Sequence, residues 1–457
     1  MIRDHLTAWG RRAGLVAGLW LAAGPLFSAG PERHFVLDNG LQVFLYEKRD
    51  VPLVHIVTGF NVGSKDETDG TSGLVHLLEH CVLFRGTSTR SGAEVGADIR
   101  RHGAYFNGNT GQDLSVFEIS LPSEYADFGL RNQKDILFGL ALSQEDLDRE
   151  KEIILEEFSQ MEDDPERSAA DLVLQDLFPG HPYGRSVYGR REIIAAATTA
   201  EIGAFYRKFF AADNCALAVV GDFDTADLEA RIREIFGPLP KTGFKPEAFQ
   251  MAVPLKKDSS RRLERDVREG YLTIGFAAPD YNGPDQYAMN VLVEALGRGV
   301  NPLLAAYLYG QRDSVQNVSM TYLAFRFGGA AIVSIKADPK DLTAVERAAV
   351  SFLKQARDQS FSKKDFSRPE EEMAAYDYLE MAKNQIRFAF GQAEESGLRL
   401  ADSLVRHMLL NVRENPIRYL DGIDRVDSSD LRKAAARYLG RSESAAVSIV
   451  PAREKKR

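Results

Sequence analysis

The chain has 457 residues, 44% of them apolar and 27% charged, with a formal net charge of −9. This length accommodates about three ordinary domains or two large ones, and the composition excludes collagen-like, disordered and multi-span membrane chains. An acidic balance without a Lys/Arg-rich face argues against a nucleic-acid partner. Two cysteines, Cys81 and Cys215, are too few for a disulfide framework, and the sequence leaves open whether they pair.

The N-terminus differs from the rest. Arg3, Arg11 and Arg12 precede an apolar run from Ala13 to Phe27, and Ser28, Ala29 and Gly30 then offer small residues for cleavage. The run is short for a membrane span. Residues 1–30 are therefore expected to be a secretory signal, giving a secreted or periplasmic protein with no stable membrane insertion after its removal. The alternatives are an uncleaved anchor or a presequence for the mitochondrial matrix, the latter disfavoured by Asp4.

Further along, alternating patterns predict strands at 41–46, 53–60, 114–121 and 216–221. Amphipathic patterns predict helices near 72–84, 92–102, 123–139, 144–162 and 199–209. Strand pairs followed by helices point to an α+β fold with mainly antiparallel sheets. The second half echoes the first. LVHIVTGF (53–60) returns as GYLTIGFA (270–277), LSQEDLDRE (142–150) as FSKKDFSRPE (361–370), and TTAEI…ALAVVGDF (198–223) as DSSDL…AAVSIVPA (427–452). Three echoes in order indicate duplication. The expected organisation is a first domain at 31–240, a linker at 241–256 within the Pro/Gly/Lys-rich stretch, and a homologous second domain at 257–457.

The chemistry concentrates in GTSGLVHLLEHCVLFRGT (70–87). His76 and His80 stand at i and i+4, so one helix face presents both imidazoles to a single metal. Glu79, one residue before the second His, is close enough to take a proton from an attacking water. The pattern is H-x-x-E-H, the reverse of H-E-x-x-H. Two imidazoles and a carboxylate would hold Zn²⁺ with a fourth position open. The third ligand is sought in DREKEIILEEFSQMEDDPE (148–166), where Glu150 and Glu157 lie two helical turns apart. Glu157 would ligate and Glu150 would accept from a ligating His. Taken alone, this stretch also reads as a solvated acidic helix.

Together these blocks resemble the insulinase/pitrilysin family of zinc metallopeptidases, in particular the short two-domain members similar to the mitochondrial processing peptidase catalytic subunit. The resemblance rests on His76-Leu77-Leu78-Glu79-His80, the GS…E…G before it, FRGT after it, and the 148–157 block. The DDP…LFPGHPYGRSVYG run and NCALAVVGDF complete it. It implies one Zn²⁺ per chain held by His76, His80 and Glu157, with Glu79 as general base and Glu150 supporting a ligand. It also implies that 103–122 contains an edge strand binding an extended peptide substrate by β-augmentation. Asn107, Gly108 and Asn109 would lie against that peptide, although a simple hairpin turn accounts for them equally well.

One departure matters. Active relatives carry an Arg and, four residues later, a Tyr in the second domain, and these stabilise the developing oxyanion. Here Arg312 is present, but Gln316 stands where Tyr is expected. By the repeat offset, Glu157 falls on Tyr376, so the second domain lacks metal ligands. The resemblance further implies a four-domain clamshell of which this chain supplies half. The expected partner is a homologous subunit that lacks the zinc motif and carries the Arg/Tyr pair. A homodimer using Tyr307 or Tyr322 as substitute donor is the alternative. The expected function is a zinc endopeptidase for unfolded peptides, against a presequence-processing peptidase or a catalytically silent core subunit.

Overall fold

The computed structural model describes residues 32–452 except 254, 300, 362–376, 411–417 and 441–442. The expected signal at 1–30, most of the 361–370 echo and Tyr376 lie outside the described residues.

Two sheets carry the fold. The first comprises β1 (Glu32–Val36), β2 (Gln42–Glu47), β3 (Leu53–Phe60), β4 (Tyr105–Thr110), β5 (Ser115–Pro122) and β6 (Cys215–Gly221), in the order β1-β2-β6-β3-β5-β4. The second comprises β7 (Ser259–Arg265), β8 (Gly270–Ala278), β9 (Val315–Phe325), β10 (Gly328–Ala337) and β11 (Ser444–Pro451), in the order β7-β11-β8-β10-β9. Every pairing is antiparallel except β2 with β6 and β7 with β11. The echo of 53–60 by 270–277 places β3 and β8 at the same point of the two orders, and the last echo does the same for β6 and β11. The TTAEI and DSSDL echoes are both helix starts. Thr198 with Glu201, and Asp427 with Asp430, each close a capping box.

Each sheet packs one face on helices from its own half. In the first half the helices Leu74–Phe84, Ala126–Phe138, Thr199–Phe209 and Thr225–Phe236 bury Leu77, Leu130, Ile202 and Ile232 against β-strand residues such as Ile56 and Val219. The opposite faces are covered by exchange. Helix Gly397–Leu410, from the second half, lays Leu404, Val405 and Leu409 on Val57, Ala218 and Val220 of the first sheet. Helix Pro165–Leu177, from the first half, lays Val173 and Leu177 on Ala445, Val447 and Ile449 of the second sheet. Burying each such side chain contributes about 1.5–3 kcal/mol, so the exchange ties the halves firmly together. It also explains why β6, CALAVVG, is buried along its whole length, on both faces.

Close approach at the exchange depends on two equivalent glycines. A Cβ on Gly59 of β3 would lie 2.4 Å from Val405 Cγ1, and one on Gly275 of β8 would lie 2.4 Å from Val173 Cγ1. Residues 241–253 form neither helix nor strand, yet they are docked. Phe244 packs on the first core, and Ala252 N–H donates to Phe327 O at 2.7 Å.

Candidate metal centre

His76, Glu79 and His80 lie on helix Leu74–Phe84, whose other face buries Leu74, Leu77, Leu78 and Cys81 in the core. The helix starts at Gly73, which has φ +96° and caps it with no side chain. Glu67 supplies the cap instead, accepting from Gly73 N–H at 2.9 Å and Val75 N–H at 2.8 Å. Burial pushes the Glu67 carboxyl up to about 8, against the two backbone hydrogen bonds. At the other end, Arg85 occupies the C-cap.

Helix Gln144–Asp163 starts at Ser143, whose hydroxyl accepts from Asp146 N–H at 3.1 Å. It buries Leu147, Glu150, Ile154 and Met161, while Glu157 stays 38% exposed. Its carboxylate sits between the two imidazoles. Oε2 is 3.7 Å from His76 Nε2, and Oε1 is 3.7 Å from His80 Nε2. One ligand atom from each of the three residues lies within 4.8 Å of the others. Tetrahedral ligands about 2.0–2.2 Å from zinc are roughly 3.3–3.6 Å apart, so small rotations would close this set around the ion.

The surroundings fit the same group. Glu150, fully buried, accepts from His80 Nδ1 at 3.1 Å, which directs Nε2 to the cleft. The other Glu150 oxygen is ion-paired with Arg85. Burial holds His76 down to about 3, with His80 acting in the same direction, so its imidazole is neutral, the form a metal would need. For His80, burial opposes the charge, but Glu150, Glu157 and Glu79 together raise its pKa. Burial raises the Glu79 carboxyl as well, partly offset by Thr110 and His80. Among the described residues, Glu79 Oε2 and His76 Nδ1 are buried without a hydrogen-bond partner. The orphaned Glu79 oxygen is free to accept from a group in the cleft, such as a water.

Asn107, Gly108 and Asn109 lie in β4, the outermost strand of the first sheet, opposite Glu118, Phe117 and Val116 of β5. They are strand rather than turn; the turn comes at Gly111–Leu114. Gly108 faces the helix that carries the histidines. A Cβ there would meet Leu83 Cδ1 at 2.7 Å and Glu79 Oε1 at 3.1 Å. Asn107 and Asn109 are exposed, and Asn109 lines a cleft of about 310 Å³ with Glu118, Arg399, Asp402 and Arg406.

Arg312 and Gln316 lie elsewhere. Arg312 caps the C-terminus of helix Leu303–Gln311, and Gln316, in edge strand β9, donates from Nε2 to Glu269 Oε2 at 2.8 Å. Among the described residues, no hydrogen bond or ion pair joins either to His76, Glu79, His80 or Glu157. Tyr322 donates to Pro279 O at 2.7 Å, and Tyr307 stacks on Phe352. Cys81 and Cys215 are buried and unpaired. Sequence reasoning passed over Glu67, Arg85 and Thr110. The signals were the E of the GS…E…G block and the R of FRGT.

Comparison with known proteins adds the family. Residues 43–191 match the family described as Insulinase (Peptidase family M16), and residues 196–371 match its companion, the Peptidase M16 inactive domain. The chain belongs to the insulinase (M16) peptidase family. An uncharacterized zinc protease of Mycobacterium tuberculosis is 27% identical over 342 residues, 74% of this chain and 77% of the relative. One from Rickettsia bellii is 23% identical over 420 residues, 90% of this chain and 96% of the relative. Two solved structures share the fold at 20% identity. A protease from Helicobacter pylori has a TM-score of 0.81, covering 92% of this chain and 100% of that one. A peptidase M16 inactive domain from Pseudomonas fluorescens has a TM-score of 0.79, covering 92% and 98%.

Proposed function

We propose that this M16 chain is a zinc-dependent endopeptidase acting on unfolded peptides, as the zinc-bearing subunit of a two-chain clamshell. The observation that carries the reading is the convergence of His76, His80 and Glu157 beside the buried carboxylate of Glu79. Zinc held by those three residues supplies Lewis-acid polarisation of the scissile carbonyl. The chain's own residues do the rest. Glu79 takes the proton of the attacking water and returns it to the leaving amine. Glu150 keeps His80 in the tautomer whose Nε2 faces the cleft. The free edge of β4 offers unpaired N–H and C=O groups to an extended peptide, with Gly108 allowing close approach to Glu79.

The partner supplies what this chain lacks. With Gln316 bonded to Glu269 and no phenol at that position, the oxyanion needs a donor from elsewhere. A homologous subunit with Arg and Tyr at the positions of Arg312 and Gln316, and without the zinc motif, completes the site. The secretory-signal reading of residues 1–30 supports a location outside the cytoplasm for this chain. The test is cleavage of an unfolded peptide by this chain alone, with the homologous subunit, and with chelator. Strong activation by the subunit, abolished by chelator, is expected. Vigorous cleavage by the isolated chain would overturn the heterodimer. Absence of cleavage in every arm, with zinc bound, would favour a silent core subunit.

A further inference from the structure

The turn of the β4–β5 hairpin is gripped from both halves of the chain. On the first-half side, Ser64 N–H donates to Gly111 O at 3.1 Å and Lys65 N–H to Gln112 O at 3.0 Å, while Lys65 Nζ reaches Asp113 O at 3.1 Å. On the second-half side the grip is on a single carboxylate. Asp113 Oδ2 accepts from Arg326 N–H at 2.9 Å, and Asp113 Oδ1 accepts at 2.8 Å from the hydroxyl of Tyr183, a first-half residue that bridges to the second half. The same hydroxyl accepts from Phe327 N–H at 3.0 Å. Arg326 and Phe327 form the turn between β9 and β10. The corresponding hairpins of the two halves thus meet at their tips, with Tyr183 and Asp113 between them. Tyr183 is fully buried, its ring 4.6 Å from Phe325.

We propose that Tyr183 is a positioning residue for peptide binding: through Asp113 it locks the β4–β5 hairpin to the second half and keeps the free edge of β4 in register with Glu79. This rests on the peptidase reading above. Among the described residues β4 is bonded to β5 alone, and an edge strand with one ladder frays readily unless its ends are held. The tie holds the end next to Thr110, two residues from Gly108 and its contact with Glu79. A peptide that adds to β4 needs several consecutive backbone groups already aligned. Loosening the turn therefore weakens binding more than chemistry. Tyr183 makes no contact with His76, His80 or Glu157 in any hydrogen bond or ion pair among the described residues.

The experiment uses the full chain, with its partner subunit where activity requires it. Tyr183→Phe removes two hydrogen bonds and keeps the ring. Tyr206→Phe is the control, because that half-buried tyrosine's hydroxyl accepts from Leu140 N–H at 3.1 Å, away from the hairpin. KM, kcat, zinc content and native-state amide exchange at 105–110 are measured for each. Tyr183→Phe is expected to raise KM about three- to tenfold, with kcat and zinc retained and the β4 amides exchanging faster. Tyr206→Phe is expected to do none of this. Unchanged KM and exchange in Tyr183→Phe, or a parallel loss of kcat and zinc, would overturn the proposal. If the wild-type protein cleaves no peptide, the peptidase reading falls. Exchange at β4 then decides the tie: faster supports it, unchanged overturns it.

Discussion

His80 and Glu150 are joined by a hydrogen bond from Nδ1 to Oε2 at 3.1 Å, made where Glu150 has no access to solvent. The remaining Glu150 oxygen faces Arg85, which caps the same helix that carries His80. The carboxylate is therefore fixed from both sides before any metal arrives. Removing such a support typically lowers metal affinity about 10- to 100-fold. Glu150→Ala is expected to do so, as read by chelator competition. Arg85→Met is expected to weaken zinc less, because Glu150 keeps its bond to His80. Unaltered zinc affinity in Glu150→Ala would contradict the arrangement.

Gly108 is expected to tolerate nothing larger. Its Cβ would press on Leu83 and on Glu79 Oε1, so Gly108→Ala displaces the proposed general base while leaving the proposed ligands His76, His80 and Glu157 in place. Activity should fall at least about tenfold with zinc content unchanged, since misplacing a reacting group by an ångström costs up to about 10²-fold. Full activity in this variant would show that β4 does not approach Glu79 as closely as described.

Glu67 gives the chain a pH-dependent stability. Its folded pKa of about 8 lies above the ordinary 4.5, so the native state holds the proton more tightly than the unfolded one. Stability then declines as pH rises from about 4.5 to about 8 and levels off beyond. Glu67→Gln, which does not titrate, should lack this decline. Thermal unfolding of metal-free protein from pH 5 to pH 8.5 should show wild type losing ground to the variant. Parallel curves would contradict the reading.

Gly59 and Gly275 seat the exchanged helices. Gly59→Val and Gly275→Val force side chains into Val405 and Val173, and overpacking of this kind costs about 1–3 kcal/mol, occasionally more. Urea unfolding should show a comparable loss for each. A loss in only one would mean that the two halves are not seated alike.

How much of this was legible in the sequence follows from the range of each interaction. His76 and His80 declare themselves by a spacing of four, and Glu150 and Glu157 by a spacing of seven, because the helix alone brings each pair to one side. The equivalence of β3 with β8 was legible because duplication preserved the alternation. β4 was harder: Asn107-Gly108-Asn109 has neither apolar alternation nor β-branched residues, and it is a strand only because β5 pairs with it. The helix exchange left a trace in the unbroken apolar run of β6. The amphipathic pattern of Gly397–Leu410, however, says that one face is buried and not which sheet buries it. Glu67 stood in the GS…E…G block, but its capping role was hidden because its partners are backbone N–H groups.

The most direct test of the account is zinc content measured beside peptide turnover in Glu79→Gln and Glu157→Ala. About one zinc per chain is expected in wild type and in Glu79→Gln, whose turnover should fall about 10²–10⁴-fold for want of a general base. Glu157→Ala should lose most of its zinc, since two imidazoles alone hold it poorly. Full zinc in Glu157→Ala, or near-normal turnover in Glu79→Gln, would contradict the assignment of ligand and base.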